Sequence, residues 1–223
     1  MERIICLVIG YAFGLIQTGY FVGKKNGIDI RTTGSKNAGT TNVLRTLGTK
    51  AGLVVFAGDA LKCIVAVLIA RLLFHNSCAD MMPLLVLYAG AGAILGHNYP
   101  FYMNFKGGKG IAATGGMIIA FDPIFLGFGL ITFFSAFFIT HYVSLGSLLV
   151  YAGFMIQMVI CGQTGFFEGM SQAHLIEMYA ITAFLAIMAY VKHWANIKRL
   201  LSGTERKTYL SKKNKVQDGE NNG

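Results

Sequence analysis

The stretch Ile111–Thr140, IAATGGMIIAFDPIFLGFGLITFFSAFFIT, decides how this chain is folded. It is apolar apart from Asp122-Pro123 near its middle. A hydrocarbon core takes ~20 residues to cross, so the stretch is too long for one helical span and too short for two full ones. Whether it crosses once or twice sets the side on which everything downstream lies.

The rest of the chain makes a membrane the relevant solvent. Of 223 residues 54% are hydrophobic, the mean hydropathy is +0.56, and 13% are charged against about 25% in ordinary soluble domains. Further apolar runs lie at Ile4–Gly23, Ala51–Phe74, Met82–Tyr99, Val143–Gly162 and Leu175–Val191. The first is too long for a signal-peptide core and its lysines, Lys24 and Lys25, follow it, so it reads as a retained span with the N-terminus outside.

Charge placement settles the parity. Lys24, Lys25, Arg31, Lys36, Arg45 and Lys50 fill the first connection, Lys106 and Lys109 the third, and a run from Lys192 to Lys215 the end. The other connections carry Asp80, Asp122 and Glu168. Splitting the opening stretch at Asp122-Pro123 into Ile111–Phe121 and Ile124–Thr140 puts every basic segment on one side; a single crossing would export the basic end against the positive-inside rule. The expectation is an all-α integral membrane protein of seven transmembrane helices, N-terminus outside and C-terminus cytoplasmic, with residues 1–207 forming the membrane domain and 208–223 a mobile basic tail. Gly10/Gly14, Gly19/Gly23 and Gly92/Gly96 have the four-residue spacing of close helix packing. Cys6, Cys63, Cys78 and Cys161 have neither C-x-x-C spacing nor a histidine pair, so no metal, cofactor or disulfide framework is expected.

Three polar clusters fall on the basic side. Gly34–Arg45, GSKNAGTTNVLR, offers backbone N–H groups, the hydroxyls of Ser35, Thr40 and Thr41, and the Arg45 guanidinium to a phosphate, or else is a solvated basic loop. Gly96–Thr114, GHNYPFYMNFKGGKGIAAT, is no Walker loop, because Gly110 follows Lys109 and Met103 stands where the leading glycine belongs. Its glycine turn nevertheless opens a helix near Ile111, where unpaired N–H groups and the ammoniums of Lys106 and Lys109 would attract an anion. His193–Lys207, HWANIKRLLSGTERK, places His193, Asn196 and Leu200 on one face if helical, or is a juxtamembrane amphipathic helix with Trp194 at the interface. Asp59 and Lys62, i and i+3 inside an apolar run, need each other or a polar cavity.

These three clusters, in this order, resemble the motifs of the bacterial acyl-phosphate:glycerol-3-phosphate acyltransferase family, the PlsY type: G-S-x-N-x-G-A-T-N-x-x-R, G-H-x-x-P-x-F-x-x-F-K-G-G-K-G-x-A-T and H-x-x-N-I-x-R-L-x-x-G-x-E-x-K. Val143–Ser147, VSLGS, is similar to a fourth segment. The chain departs from the pattern at Leu15-Ile16-Gln17 where the family has S-I-P, at Thr40, Cys63, Tyr102 and His141, and at the additional Ala113.

The resemblance implies transfer of a fatty acyl group from acyl phosphate to the sn-1 hydroxyl of glycerol 3-phosphate, giving lysophosphatidic acid and inorganic phosphate, in the bacterial inner membrane. Glycerol 3-phosphate, acyl phosphate and membrane lipid would be the partners; acyl-CoA and nucleic acid would not. It implies catalytic roles for Ser35, Arg45, His97 and Lys109. Asn37, Thr41, Asn42, Lys106, Gly107, Gly108, His193, Asn196 and Glu205 would bind substrate, with Lys106, Lys109 and the Gly107-Gly108 amides on the glycerol 3-phosphate phosphate. His97, with an ordinary pKa near ~6.5, is the side-chain candidate for general base, and a substrate phosphate oxygen the alternative. The competing class is a transporter of phosphate-bearing solutes, disfavoured by the one-sided clusters and the lack of inverted repeats.

Overall fold

The computed structural model describes residues 1–209, whose regular secondary structure is helical; residues 210–223, and so most of the basic tail, lie outside the described residues. The helices are α1 Glu2–Gly14, α2 Thr18–Lys25, α3 Thr40–Leu47, α4 Thr49–Phe74, α5 Met82–Asn98, α6 Ile111–Phe121, α7 Pro123–Thr140, α8 Val143–Gln163, α9 Gln172–Lys192 and α10 Trp194–Leu201. Among the described residues six stretches are long and apolar enough to cross a membrane: Glu2–Lys25, Thr49–Phe74, Ala79–Met103, Pro123–Thr140, Val143–Gln163 and Gln172–Lys192. α6 is apolar but has only 11 residues, a rise of ~16 Å.

The division of the opening stretch falls at Asp122-Pro123. The Asp122 carboxylate accepts from the Ile124 amide at 2.9 Å and Pro123 takes the first helical position, so an acid and a proline act together as a helix start. α6 runs alongside α4 in the same direction. Gly116 lies so close to α4 that a Cβ there would strike the Ala60 carbonyl. At the other end Arg71, in the last turn of α4, donates to the carbonyls of Ala120 at 3.1 Å and Phe121 at 2.8 Å, satisfying two orphan acceptors of the α6 C-terminus. Counting back from the Gly116–Ala60 contact, Ile111 lies level with Val55, whereas α4 begins at Thr49. α6 is short because its N-terminus is recessed into the bundle.

α5 is the central helix, with almost every residue buried. Its glycines interlock with those of α1: a Cβ on Gly10 would meet the Ala89 carbonyl, one on Gly92 the Leu7 carbonyl, and one on Gly96 the Tyr11 carbonyl. The four-residue spacing of Gly10/Gly14 and Gly92/Gly96 is therefore helix packing. Gly19 and Gly23 serve another contact, against Ala38 and Ile28–Ile30 of the loop before α3.

The first apolar run is not one helix. It breaks between Gly14 and Thr18, although the chain lacks a proline there. The buried Gln17 amide replaces the lost ladder by donating to the carbonyls of Gly14, Gly96 and His97 at 3.2, 3.3 and 3.1 Å. α7 is the most peripheral span and rests chiefly on α8, and its exposed Phe128, Leu130, Ile131, Phe134, Phe138 and Ile139 suit a lipid-facing surface.

Replacing Gly92 by Leu should destabilise the bundle by about 1–3 kcal/mol, the range for overpacking a close contact. Gly115→Ala, where nothing lies within 4 Å, should be neutral or slightly stabilising. Thermal unfolding of the two variants in one detergent gives the comparison.

Candidate active site

The C-terminal carbonyls of α5 organise the site. A helix leaves its last four carbonyls without intrahelical donors, and here each finds a partner from elsewhere in the chain. Gln17 serves Gly96 and His97, the Gly108 amide serves His97 at 3.1 Å, and the Gly107 amide and Lys192 Nζ serve Asn98 at 3.2 and 2.8 Å. The Tyr11 hydroxyl donates to Tyr99 O at 2.9 Å. The loop Lys106–Gly110 is thereby folded back on the end of α5. A Cβ at Gly107 would collide with the His97 carbonyl and one at Gly108 with His97 Nε2, which is why both positions are glycine.

That return delivers Lys109 and the start of α6 to a cavity. Among the described residues the amides of Gly110, Ile111 and Ala112 have no backbone partner, and all three residues line the inner chamber. Gly110 itself has φ +81°, the left-handed value that a side chain tolerates poorly.

The loop before α3 is built around Asn42, which is 3% exposed. Its Oδ1 accepts from the Ser35 amide at 2.8 Å, and its Nδ2 donates to the carbonyls of Ile30, Thr33 and Asn37 at 3.1, 2.9 and 2.9 Å. This hub presents Ser35, Lys36 and Asn37 to the cavity. Arg45, on α3, donates to the Arg206 carbonyl at 2.8 Å and to Thr208 Oγ1 at 2.5 Å.

From the C-terminal side, α10 and the segment after it close around Glu205, which is 8% exposed. Glu205 accepts from Asn196 Nδ2 at 2.7 Å, Ser144 Oγ at 3.0 Å and Arg199 Nε at 2.8 Å. Asn196 Oδ1 in turn accepts from Lys109 Nζ. One buried carboxylate thus holds a lysine from the α5–α6 loop, through Asn196, in register with α8 and α10.

The space between these elements has two chambers that share Asn37, Lys109 and Asn196. The outer, about 410 Å³, is lined by Lys36, Arg45, Lys109, Lys192, Arg199 and Arg206 against the single carboxylate of Glu205. The inner, about 80 Å³, adds Asp59, His97, Ser144, Ser147 and His193. Burial, assisted by Arg199, Arg45 and Lys192 and opposed by Glu205, brings Lys109 down to about 8. Burial and then Lys109 bring His193 down to about 4, so its imidazole is neutral at pH 7. His193 Nδ1 lies 2.8 Å from the Ala189 carbonyl and must donate to it, leaving the Nε2 lone pair for the chamber. An excess of fixed cations around a water-accessible space suits multiply charged anions.

Residues 4–203 match the family model described as glycerol-3-phosphate acyltransferase. The chain belongs to this family. It is 42% identical to the glycerol-3-phosphate acyltransferase of Clostridioides difficile, over 92% of this chain and 94% of the relative, and 38% identical to that of Bacillus subtilis, over 91% and 96%. The solved structure of PlsY, an integral membrane glycerol 3-phosphate acyltransferase, in its glycerol 3-phosphate form superposes with a TM-score of 0.79 at 29% identity, covering 94% of this chain and 96% of that one. Its lysophosphatidic acid form gives a TM-score of 0.77 at 28% identity, over 94% and 97%.

Not every residue matching the family motifs lines these chambers. Ser35, Asn37, Arg45, His97, Lys109, His193, Asn196 and Glu205 do. Lys106 is exposed and lines neither. The Gly107 and Gly108 amides, expected to hold phosphate, are spent on the α5 carbonyls; the free amides come one turn later. Asn42 is wholly engaged in its loop, and Thr41 lies outside both chambers while its neighbour Thr40 lines the inner one. Lys192, Arg199, Arg206 and Ser144 line the cavity although the sequence reading gave them no role there. The departure at Gln17 leaves the helix break intact, because a side-chain amide does the work of the family's proline.

The position of Lys109 fixes a pH dependence for anion binding. A lysine depressed to about 8 is charged below that value and loses its charge as pH rises through it. Binding of sulfate, which does not titrate in this range, should weaken roughly tenfold between pH 7 and pH 9. Lys109→Arg should flatten the curve, since a guanidinium stays protonated; calorimetric titration in detergent reads both.

Proposed function

We propose that this chain transfers a fatty acyl group from acyl phosphate to the sn-1 hydroxyl of glycerol 3-phosphate, releasing lysophosphatidic acid and inorganic phosphate. The observation that carries the reading is the convergence of Arg45, Lys109 and Asn196, from three distant motifs, on one cationic cavity at one end of the helices. The forms in which the related PlsY was solved, with glycerol 3-phosphate and with lysophosphatidic acid, fit the proposed substrate and product.

An acyl phosphate is already activated, so the protein has to hold two anions together and stabilise the charge that develops on the carbonyl oxygen. Arg45, Ser35 and Asn37 receive the acyl phosphate, and Lys109, with the free amides at the start of α6, the second phosphate. His193 Nε2 and Asn196 orient the glycerol, while Glu205 holds Asn196. The sn-1 oxygen bonds to the carbonyl carbon, the carbon–oxygen bond to the phosphate breaks, and phosphate leaves with the electron pair. The hydroxyl proton passes to a substrate phosphate oxygen.

Lipid access suits a donor with a fatty chain, because the recessed start of α6 lies within the apolar bundle and the exposed faces of α4 and α7 are almost wholly apolar. We further propose seven crossings, with the N-terminus outside, the C-terminus cytoplasmic, and the bacterial inner membrane as the location. The parallel course of α4 and α6, with Arg71 on the α6 terminus, supports counting α6 as a crossing. The basic connections then share the cytoplasmic side.

Purified protein in lipid nanodiscs with palmitoyl phosphate and labelled glycerol 3-phosphate should form lysophosphatidic acid, and palmitoyl-CoA should not serve. Arg45→Ala should lower kcat/KM by about a hundredfold or more, as expected for loss of a charged transition-state contact. Acylation with neither donor would overturn the reading in favour of transport.

A further inference from the structure

The acyl-transfer reading leaves unused the most deeply buried charges among the described residues. Asp59 and Lys62 are 1% and 4% exposed on α4 and sit against His97, itself 3% exposed, at the end of α5. Lys62 Nζ lies 2.8 Å from Asp59 Oδ1, 2.8 Å from His97 Nδ1 and 2.6 Å from the Ile16 carbonyl, which the break between α1 and α2 leaves without a helical donor. Asp59 Oδ1 also accepts from Thr18 Oγ1 at 3.1 Å, so the carboxylate is fixed from α2 as well.

A simple ion pair would need only Asp59 and Lys62. Here the third direction of the ammonium is filled by a ring nitrogen. An ammonium has three protons and no lone pair, and these three acceptors use all of them. Toward such a group His97 Nδ1 can only accept, and in a neutral imidazole the remaining proton must then sit on Nε2. That nitrogen lies against Gly108 and has no hydrogen-bond partner among the described residues, and the His97 ring is part of the lining of the inner chamber. Across the same chamber His193 has the opposite sense, donating from Nδ1 to Ala189 O and keeping a lone pair on Nε2. The chamber is therefore lined by one histidine that can only donate into it and one that can only accept.

We infer that Lys62, held by Asp59, is a positioning residue that keeps the His97 proton on Nε2, so that His97 meets the substrate as a hydrogen-bond donor and not as the base. Its place in the lining of the inner chamber suits a donor aimed at the oxygen on which charge develops. A buried Asp59–Lys62 pair is costly in lipid, and a fixed tautomer at the reacting centre is what it supplies. The consequence for catalysis rests on the acyl-transfer reading, whereas the tautomer does not.

Nitrogen NMR of histidine-labelled protein in nanodiscs tests the tautomer without an activity measurement. His97→Asn identifies the His97 signals. The expected wild-type spectrum has an unprotonated Nδ1 and a protonated Nε2 for His97; a protonated Nδ1 overturns the inference. In Lys62→Met the proton should shift to Nδ1 or be shared between the nitrogens, with kcat down about ten- to a hundredfold and the KM for glycerol 3-phosphate changed less than about threefold. Lys62→Met that loses activity while His97 keeps the wild-type tautomer also overturns it, because Lys62 would then be structural only. If that variant does not fold, Lys62→Arg, whose head likewise only donates, must retain the wild-type spectrum, and a protonated Nδ1 there is equally fatal. A wild-type protein with the expected spectrum but no acylation would sink the acyl-transfer reading and leave the tautomer lock standing.

Discussion

The end of α5 is the constraint on which the rest depends. A helix that stops inside a membrane protein leaves carbonyls that water cannot reach, and each unsatisfied one costs several kcal/mol in an apolar medium. Here the donors come from Gln17 at the α1–α2 break, from the Gly107 and Gly108 amides, from Lys192 at the end of α9 and from Tyr11 on α1. Satisfying them pulls the loop before α6 inward and draws α1, α5 and α9 together at one end. The two chambers are the space left by that arrangement.

Charge is distributed across the chambers according to depth. The outer chamber gathers lysines and arginines that reach water, where repulsion among them is screened and a phosphate can offset it. Deeper in, free helix amides, hydroxyls and the neutral His193 stand beside Lys109, and the buried Lys62 beyond them is matched by Asp59. Glu205 joins the two levels by holding Asn196, Ser144 and Arg199 at once. An arrangement of this kind can hold two phosphates near each other without burying an uncompensated cation.

Much of this was legible in the sequence because it depends on local chemistry. The apolar runs, the helix start at Asp122-Pro123, and the close packing at Gly10/Gly14 and Gly92/Gly96 each follow from periodicity or from the needs of a nearby backbone, whereas His193, expected on one helical face with Asn196 and Leu200, sits at the break between α9 and α10. The division of labour among the polar residues was not. Asn42 looked like a ligand and is a hub, Lys106 looked like half of an anion clamp and faces away, and the glycine amides bond to the preceding helix. Gln17 showed only as a departure from the family pattern and Lys192 only as part of a basic run, because a glutamine in an apolar run and a lysine after one have many ordinary explanations. A donor's role depends on which acceptor lies nearest in space, and for Gln17 two of its three acceptors are dozens of residues away.

The sequence by itself determined that this is a multi-helix membrane protein with its basic clusters on one side, because a bilayer imposes length and charge rules that act on each segment alone. It also determined the family, since the motifs survive in order. Only the tertiary structure decided which amides remain free for an anion, how far α6 is recessed, and which nitrogen of His97 meets Lys62. Those facts arise from long-range pairing of donors and acceptors, and pairing is set by which buried groups must be satisfied together when the helices close on one another.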